Sequence, residues 1–304
     1  MLWCHCVLED RKAVTGVEKT KKRMIRNCFQ EYKMKITSVR FLSAVVLMVA
    51  LICAVASGID RLMADTGERI TPWMAPHFVD NVYFVTFYGF IVGYMYSDVP
   101  FMNRRELYKI LREGRLSWCI EKIVSIILQA FTLVVLTIAA SILVFVPMIK
   151  FDWEWGKIIY TMAFSDNIYE YALFSNLSNV ILIKYTPIQA MLLCFFMVWL
   201  VSSLIGLLMF AISLYMNRIF AVSSAAILTG LNLSNVKFIV AEWLPYVIPF
   251  YWCRISIYEE PVFLDRYFPS VKFYMVLSSI IFLMLIIIIL LRSKRIEYVW
   301  SKEE

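Results

Sequence analysis

The sequence predicts an all-α integral membrane protein of about six transmembrane helices, and three observations carry that prediction. Of 304 residues, 61% are hydrophobic and 17% charged, against about 45–50% and about 25% in an ordinary soluble domain. A soluble fold of this length has no room for the excess, because the buried fraction rises only slowly with size. The apolar residues gather into six runs, 41–59, 82–97, 123–148, 188–215, 220–240 and 271–291, most of them close to the roughly 20 residues that a membrane helix needs. Lys and Arg divide unevenly between the segments these runs define. With both termini inside, 21 fall on inner segments and 9 on outer ones, in the sense of the positive-inside rule. The chain therefore reads as one transmembrane domain over 1–304 in a cell membrane, with cytoplasmic N- and C-termini.

Taken in order, residues 1–39 form a basic cytoplasmic segment. Met24, Ile25, Cys28, Phe29, Tyr32 and Ile36 recur at helical spacing with Lys21, Lys22, Arg23, Arg26 and Lys33 between them. That pattern predicts an amphipathic helix lying in the inner headgroup layer. The run 41–59 starts some forty residues in, and no compact small-residue cleavage site follows it, so it reads as a retained span rather than a signal peptide. The run 82–97 is short and rich in Tyr and Gly. It is counted because without it the N-terminal segment and the basic loop 104–115 would lie on opposite sides.

Residues 99–122 read as a short cytoplasmic helix, a tight turn and a membrane helix. Asn103-Arg104-Arg105-Glu106 has the form of a capping box, Asn103 accepting a first-turn amide and Glu106 reaching back. Leu107, Ile110 and Leu111 make a narrow apolar stripe, flanked by Arg104, Arg105, Arg112 and Arg115, and Gly114 is placed to end the helix in a left-handed cap. About forty outer residues follow the third span. Their Trp153, Trp155, Tyr160, Tyr169 and Tyr171 suit a membrane interface, and they are too few and too apolar for an independent domain. After the fifth span, Trp243 to Trp252 stays apolar although Pro245 and Pro249 interrupt any long helix. A partly re-entrant segment fits, tolerated where protein covers its backbone. The sixth run includes twelve unbroken apolar residues, Ile280 to Leu291, and 292–304 is a cytoplasmic tail.

Composition and motif also narrow the chemistry. The net charge of +7 sits in clusters beside apolar runs, which is how membrane flanks look and argues against nucleic acid. The sequence has no Gly-x-x-x-x-Gly-Lys loop, no His-Glu-x-x-His and no Gly-x-Ser-x-Gly, so nucleotide hydrolysis, zinc proteolysis and serine hydrolysis by those routes are excluded. No cofactor or metal is expected, and Cys4-x-Cys6 lacks a second ligand pair beyond His5. Glu259-Glu260, followed by Asp265-Arg266, reads as a solvated outer loop. The spans carry Ser, Thr and Asn rather than charge. These groups serve as interhelical hydrogen-bond partners, and Asn232 and Asn235, three residues apart, are the one candidate for a polar path.

This arrangement resembles the membrane subunit of ABC transporters of the type-2 exporter (ABC-2) family, from Tyr96-Ser-Asp-Val-Pro100 through Arg112-Glu-Gly-Arg115 and Trp118, and in the proline-bearing segment before the last span. The forty-residue outer loop is longer than that family's usual connection. The resemblance implies a permease subunit that forms the substrate path, pairs with itself or a related permease in the lipid bilayer, and docks a separate ABC ATPase subunit through Asn103 to Arg115. Peptides, lipids, glycans and hydrophobic toxins are the cargo classes it implies. The alternatives are an intramembrane enzyme of protease type and a membrane anchor or sensor without transport.

Overall fold

The computed structural model describes residues 23–100, 104–164, 177–234, 244–256 and 270–293. Among these residues the regular structure is helical, apart from one isolated parallel bridge between Ile70 and Ile149. In chain order the helices are α1 over 23–36, α2 Val39–Thr66, α3 Ala75–Asp80, α4 Val82–Met95, α5 Arg104–Glu113, α6 Arg115–Leu143, α7 Lys157–Phe164, α8 Asn179–Lys184, α9 Pro187–Tyr215, α10 Arg218–Ser234, α11 Leu244–Val247 and α12 Val271–Ser293.

Four of these, α2, α6, α9 and α12, are long and apolar enough to cross a membrane. At about 1.5 Å per residue, even the shortest of them exceeds the roughly 30 Å hydrocarbon layer. The protein is a membrane protein built around these four helices. The sequence runs 82–97 and 220–240 correspond to α4 and α10, which are apolar but only 14 and 17 residues long. Helix α4 is cut short at its start by Asn81, whose Oδ1 accepts the amides of Tyr83 and Phe84 and so ends α3 and caps α4 in one residue. Positions 235–240 lie outside the described residues. The third helix begins at Arg115, eight residues before the predicted 123, because Gly114 turns α5 straight into α6. It stops at Leu143 rather than 148, where Pro147 enters a 3-10 turn, Val146–Met148.

Helix α9 is the centre of the bundle, its apolar stretch the most buried of the four, while α12 lies at the periphery. Two glycines make room for neighbouring side chains to pack onto the helix backbone. A Cβ at Gly206 would meet Ile126 at 2.6 Å and Tyr96 at 2.8 Å, and one at Gly89 would meet Thr229 at 2.6 Å and Phe250 at 2.7 Å. On α12, Val276, Ile280, Leu283, Ile287 and Leu291 are all exposed. A soluble fold does not leave such a continuous apolar side open, whereas hydrocarbon solvates it.

The two ends of the bundle differ. One, the basic end, carries α1 and α5; there Arg218 Nε donates to the Ser97 carbonyl at 2.7 Å and the Arg292 guanidinium lies 4.7 Å from the centre of the Tyr215 ring. At the far end the aromatic loop is stapled to the segment after α2. Thr71 Oγ1 donates to the Trp155 carbonyl, Trp73 Nε1 to Asp152 and Trp155 Nε1 to Tyr185. Trp155 is therefore buried packing, while Phe151 and Trp153 stay exposed; Tyr169 and Tyr171 lie outside the described residues. The second half of the proline-bearing segment is covered by protein, Ile248 and the 3-10 turn Pro249–Cys253 being buried, whereas Tyr246 and Val247 are exposed.

Candidate functional site

The chemistry-bearing groups concentrate at the basic end, where α1, α5 and the first turns of α6 meet. Gly114, at φ 89° and ψ 157°, is the reason they meet. Only glycine takes this conformation readily, and it reverses the chain in one residue between two helices. The sequence expectation of a left-handed cap holds for the sign of φ but not for ψ, which is extended. The α5–α6 hairpin lays Glu106 over Trp118 and Lys122. Glu106 Oε2 accepts Trp118 Nε1 at 2.8 Å and stands 3.2 Å from Lys122 Nζ. That oxygen serves the hairpin, since residue 106 faces α6 and is buried; the capping-box expectation rests on Asn103 as well. Asn103 lies outside the described residues.

From this hairpin the charge cluster extends to α1. Lys122 Nζ is 2.5 Å from Glu31 Oε1, and Lys109 pairs with Glu121 while standing 3.7 Å from Glu31 Oε2. Lys122, Glu121 and Glu31 are all at most 2% exposed. Burial opposes ionisation of Glu31, but the neighbouring Lys122, Lys109 and Lys35 outweigh it and hold its carboxyl below the ordinary glutamate pKa. Burial likewise opposes the charge on Lys109, and Glu121, Glu31 and Glu106 reverse the balance and raise its pKa. A second tie lies beside the first: Lys35 and Arg40 both reach Asp98, at 2.5 and 3.4 Å. Buried ions are costly unless paired, so these pairs fix how α1, α5 and α6 sit together.

The predicted apolar stripe divides in two. Ile110 is 5% exposed and packs inward, whereas Leu111 is 83% and Tyr108 77% exposed. The exposed side of α5 thus carries Tyr108, Leu111 and Arg112, continued by exposed Arg115 and Leu116 at the start of α6. The side chains of Arg104, Arg105 and Leu107 lie outside the described residues. Helix α1 buries Asn27 and Glu31 most deeply, while Ile25, Phe29 and Met34 are exposed and open to a lipid surface.

Deeper in the bundle, Asn232 is fully buried and its Nδ2 donates to Thr86 Oγ1 at 2.8 Å, joining α10 to α4. Asn235 lies outside the described residues, as do Cys4, His5, Cys6 and the Glu259-Glu260 pair. At the far end a feature without a sequence signal appears. Buried Asp80 receives the Ser256 amide and hydroxyl at 3.0 and 2.6 Å, and its carbonyl accepts Arg254 Nε. On the same helix His77 is buried edge-on to Trp155. Glu31 and Glu121 were hidden from sequence reasoning because both look like ordinary charges of a positive-inside flank. The available clue was three glutamates at 31, 106 and 121 among many cations. No family model, curated protein or solved structure gives a significant match to this chain.

Proposed function

We propose that the chain is the permease subunit of an ATP-driven exporter resembling the ABC-2 type. In this reading α2, the α3–α4 pair, α6, α9, α10 and α12 make six crossings, the basic end is cytoplasmic, and a second permease subunit completes the substrate path. The observation that carries the reading is the geometry of α5. Its inward edge, Glu106, Lys109 and Ile110, is tied to the rest of the chain, while Tyr108, Leu111 and Arg112 face away from it. A short helix held rigidly with large apolar groups outward is the donor half of a helix-in-groove contact, which uses anchors at i, i+3 and i+4. The sequence lacks a phosphate-binding loop of its own, which fits a division of labour with a separate ATPase.

The experiment is co-purification with an ABC ATPase subunit from the same organism, using Tyr108→Asp together with Leu111→Asp. Both positions are exposed, so membrane insertion and abundance stay at the wild-type level. Loss of a hot-spot contact of about 2–4 kcal/mol lowers partner affinity roughly 30- to 1000-fold. Full retention of the ATPase by this double variant removes α5 as the docking element, and failure of the unmodified chain to bind any such ATPase removes the permease reading.

A further inference from the structure

We propose that Glu31, held between Lys122 and Lys109, is a positioning residue that makes α1 part of the docking body, so that motion of α5 reaches the base of α2 as well as α6. The proposal rests on the permease reading and adds a route of coupling to it. Each of the three helices is tied to the other two: Lys122 of α6 touches Glu31 of α1 and Glu106 of α5, and Lys109 of α5 touches Glu121 of α6 and faces Glu31 of α1.

The orientation of α1 decides what these pairs do. A helix held by apolar packing buries its large hydrophobic groups. Here Ile25, Phe29 and Met34 point outward, the most deeply buried residues are Asn27 and Glu31, and Met24, Cys28, Tyr32 and Ile36 are only half-buried. The polar edge of α1 is therefore its most buried part and, with Tyr32 and Ile36, seats the helix. From α1 the path to the first membrane helix is short. Only Thr37 and Ser38 intervene, Ser38 Oγ accepts the Phe41 amide as the cap of α2, and Lys35 and Arg40 straddle this junction to grip Asp98 beyond α4. A displacement of α5 that keeps the ion pairs carries α1, and with it the start of α2.

The decisive variant is Glu31→Ala. It leaves Lys122 paired with Glu106 and Lys109 with Glu121, so neither cation is stranded and the α5–α6 hairpin persists. The test uses the full chain with its co-purified ATPase in liposomes. Seating of α1 is read by maleimide modification of the native Cys28, with the other cysteines replaced by Ser or Ala. Coupling is read by environment-sensitive probes placed separately at Leu42 on α2 and Leu116 on α6, with and without ATP. The expected result for Glu31→Ala is unchanged ATPase binding, at least about tenfold faster Cys28 modification from local release of α1, loss of the ATP-dependent signal at Leu42, and retention of the signal at Leu116. Re-tethering α1 in the same background, by a bis-maleimide between Tyr32→Cys and Thr132→Cys (side chains that touch at 3.2 Å), restores the Leu42 signal.

Three outcomes overturn the proposal. Unchanged Cys28 modification shows that Glu31 does not seat α1. A normal Leu42 signal with α1 released shows that the joint transmits nothing, and absence of an ATP-dependent Leu42 signal in the unmodified protein shows that there is nothing to transmit. If no ATPase binds the unmodified chain, the permease reading fails by itself, and the Cys28 rates still report whether Glu31 seats α1.

Discussion

Lys122 is the residue on which the basic end turns, because its ammonium serves both Glu31 and Glu106 while 1% exposed. Lys122→Met leaves two buried carboxylates short of a cation and should destabilise the protein by about 3–5 kcal/mol, whereas replacing the cation and its acidic partners together by isosteric neutral groups should cost far less. Thermal unfolding in detergent distinguishes the two. The pH dependence of this corner follows from the shifts. Glu31 has a lowered pKa, so its contribution is full above the ordinary 4.5 and is lost as pH falls through the folded value. Lys109 has a raised pKa, so its contribution is full below 10.5 and is lost as pH rises through the folded value. Cys28 modification, corrected for thiolate fraction, should accordingly stay flat across neutral pH.

At the scale of elements, the two sides of α5 should separate in mutagenesis. Ile110→Asp buries a charge in the chain's own packing and should lower folded yield, while the exposed Tyr108→Asp and Leu111→Asp leave yield intact and act on partner binding. A stripe read from spacing alone does not distinguish these, since Ile110 and Leu111 are equally apolar and adjacent. The packing of α4 against α10 offers a second test. Gly89 sits where a Cβ would overlap Thr229 and Phe250, so Gly89→Val should force the pair apart at a cost of about 1–3 kcal/mol, measured as a lowered melting temperature. An unchanged melting temperature would mean that this close approach contributes little to the bundle.

For the molecule as a whole, the proposed topology makes a labelling prediction. Cysteine introduced at Leu111 should be protected from impermeant reagents in intact cells, and cysteine introduced at Phe151 or Trp153, both exposed at the far end, should label readily. Labelling of position 111 from outside defeats the six-crossing arrangement. The lateral surface carries its own expectation. The exposed side of α12, from Val276 to Leu291, is apolar throughout, so a single Ile280→Asp should reduce membrane insertion by the roughly 2.5–3.5 kcal/mol that an acidic group costs at a helix centre.

By itself the sequence determined the helical membrane class, the positions of the four long apolar helices, the break at Gly114 and the irregular proline-bearing segment. Each of these is a local or compositional property: the length of an apolar run, the φ of one glycine, the missing amide of a proline. Only the tertiary structure decided which side of α1 and α5 faces the protein, that Glu31, Glu106 and Glu121 are buried partners of Lys109 and Lys122, and that Asp80 meets Ser256 across 176 positions. The physical reason is that a charge in a flank carries the same sequence signal whether it is solvated or buried. Its role is fixed by partners 12 to 91 residues away, and no periodicity along the chain encodes that pairing.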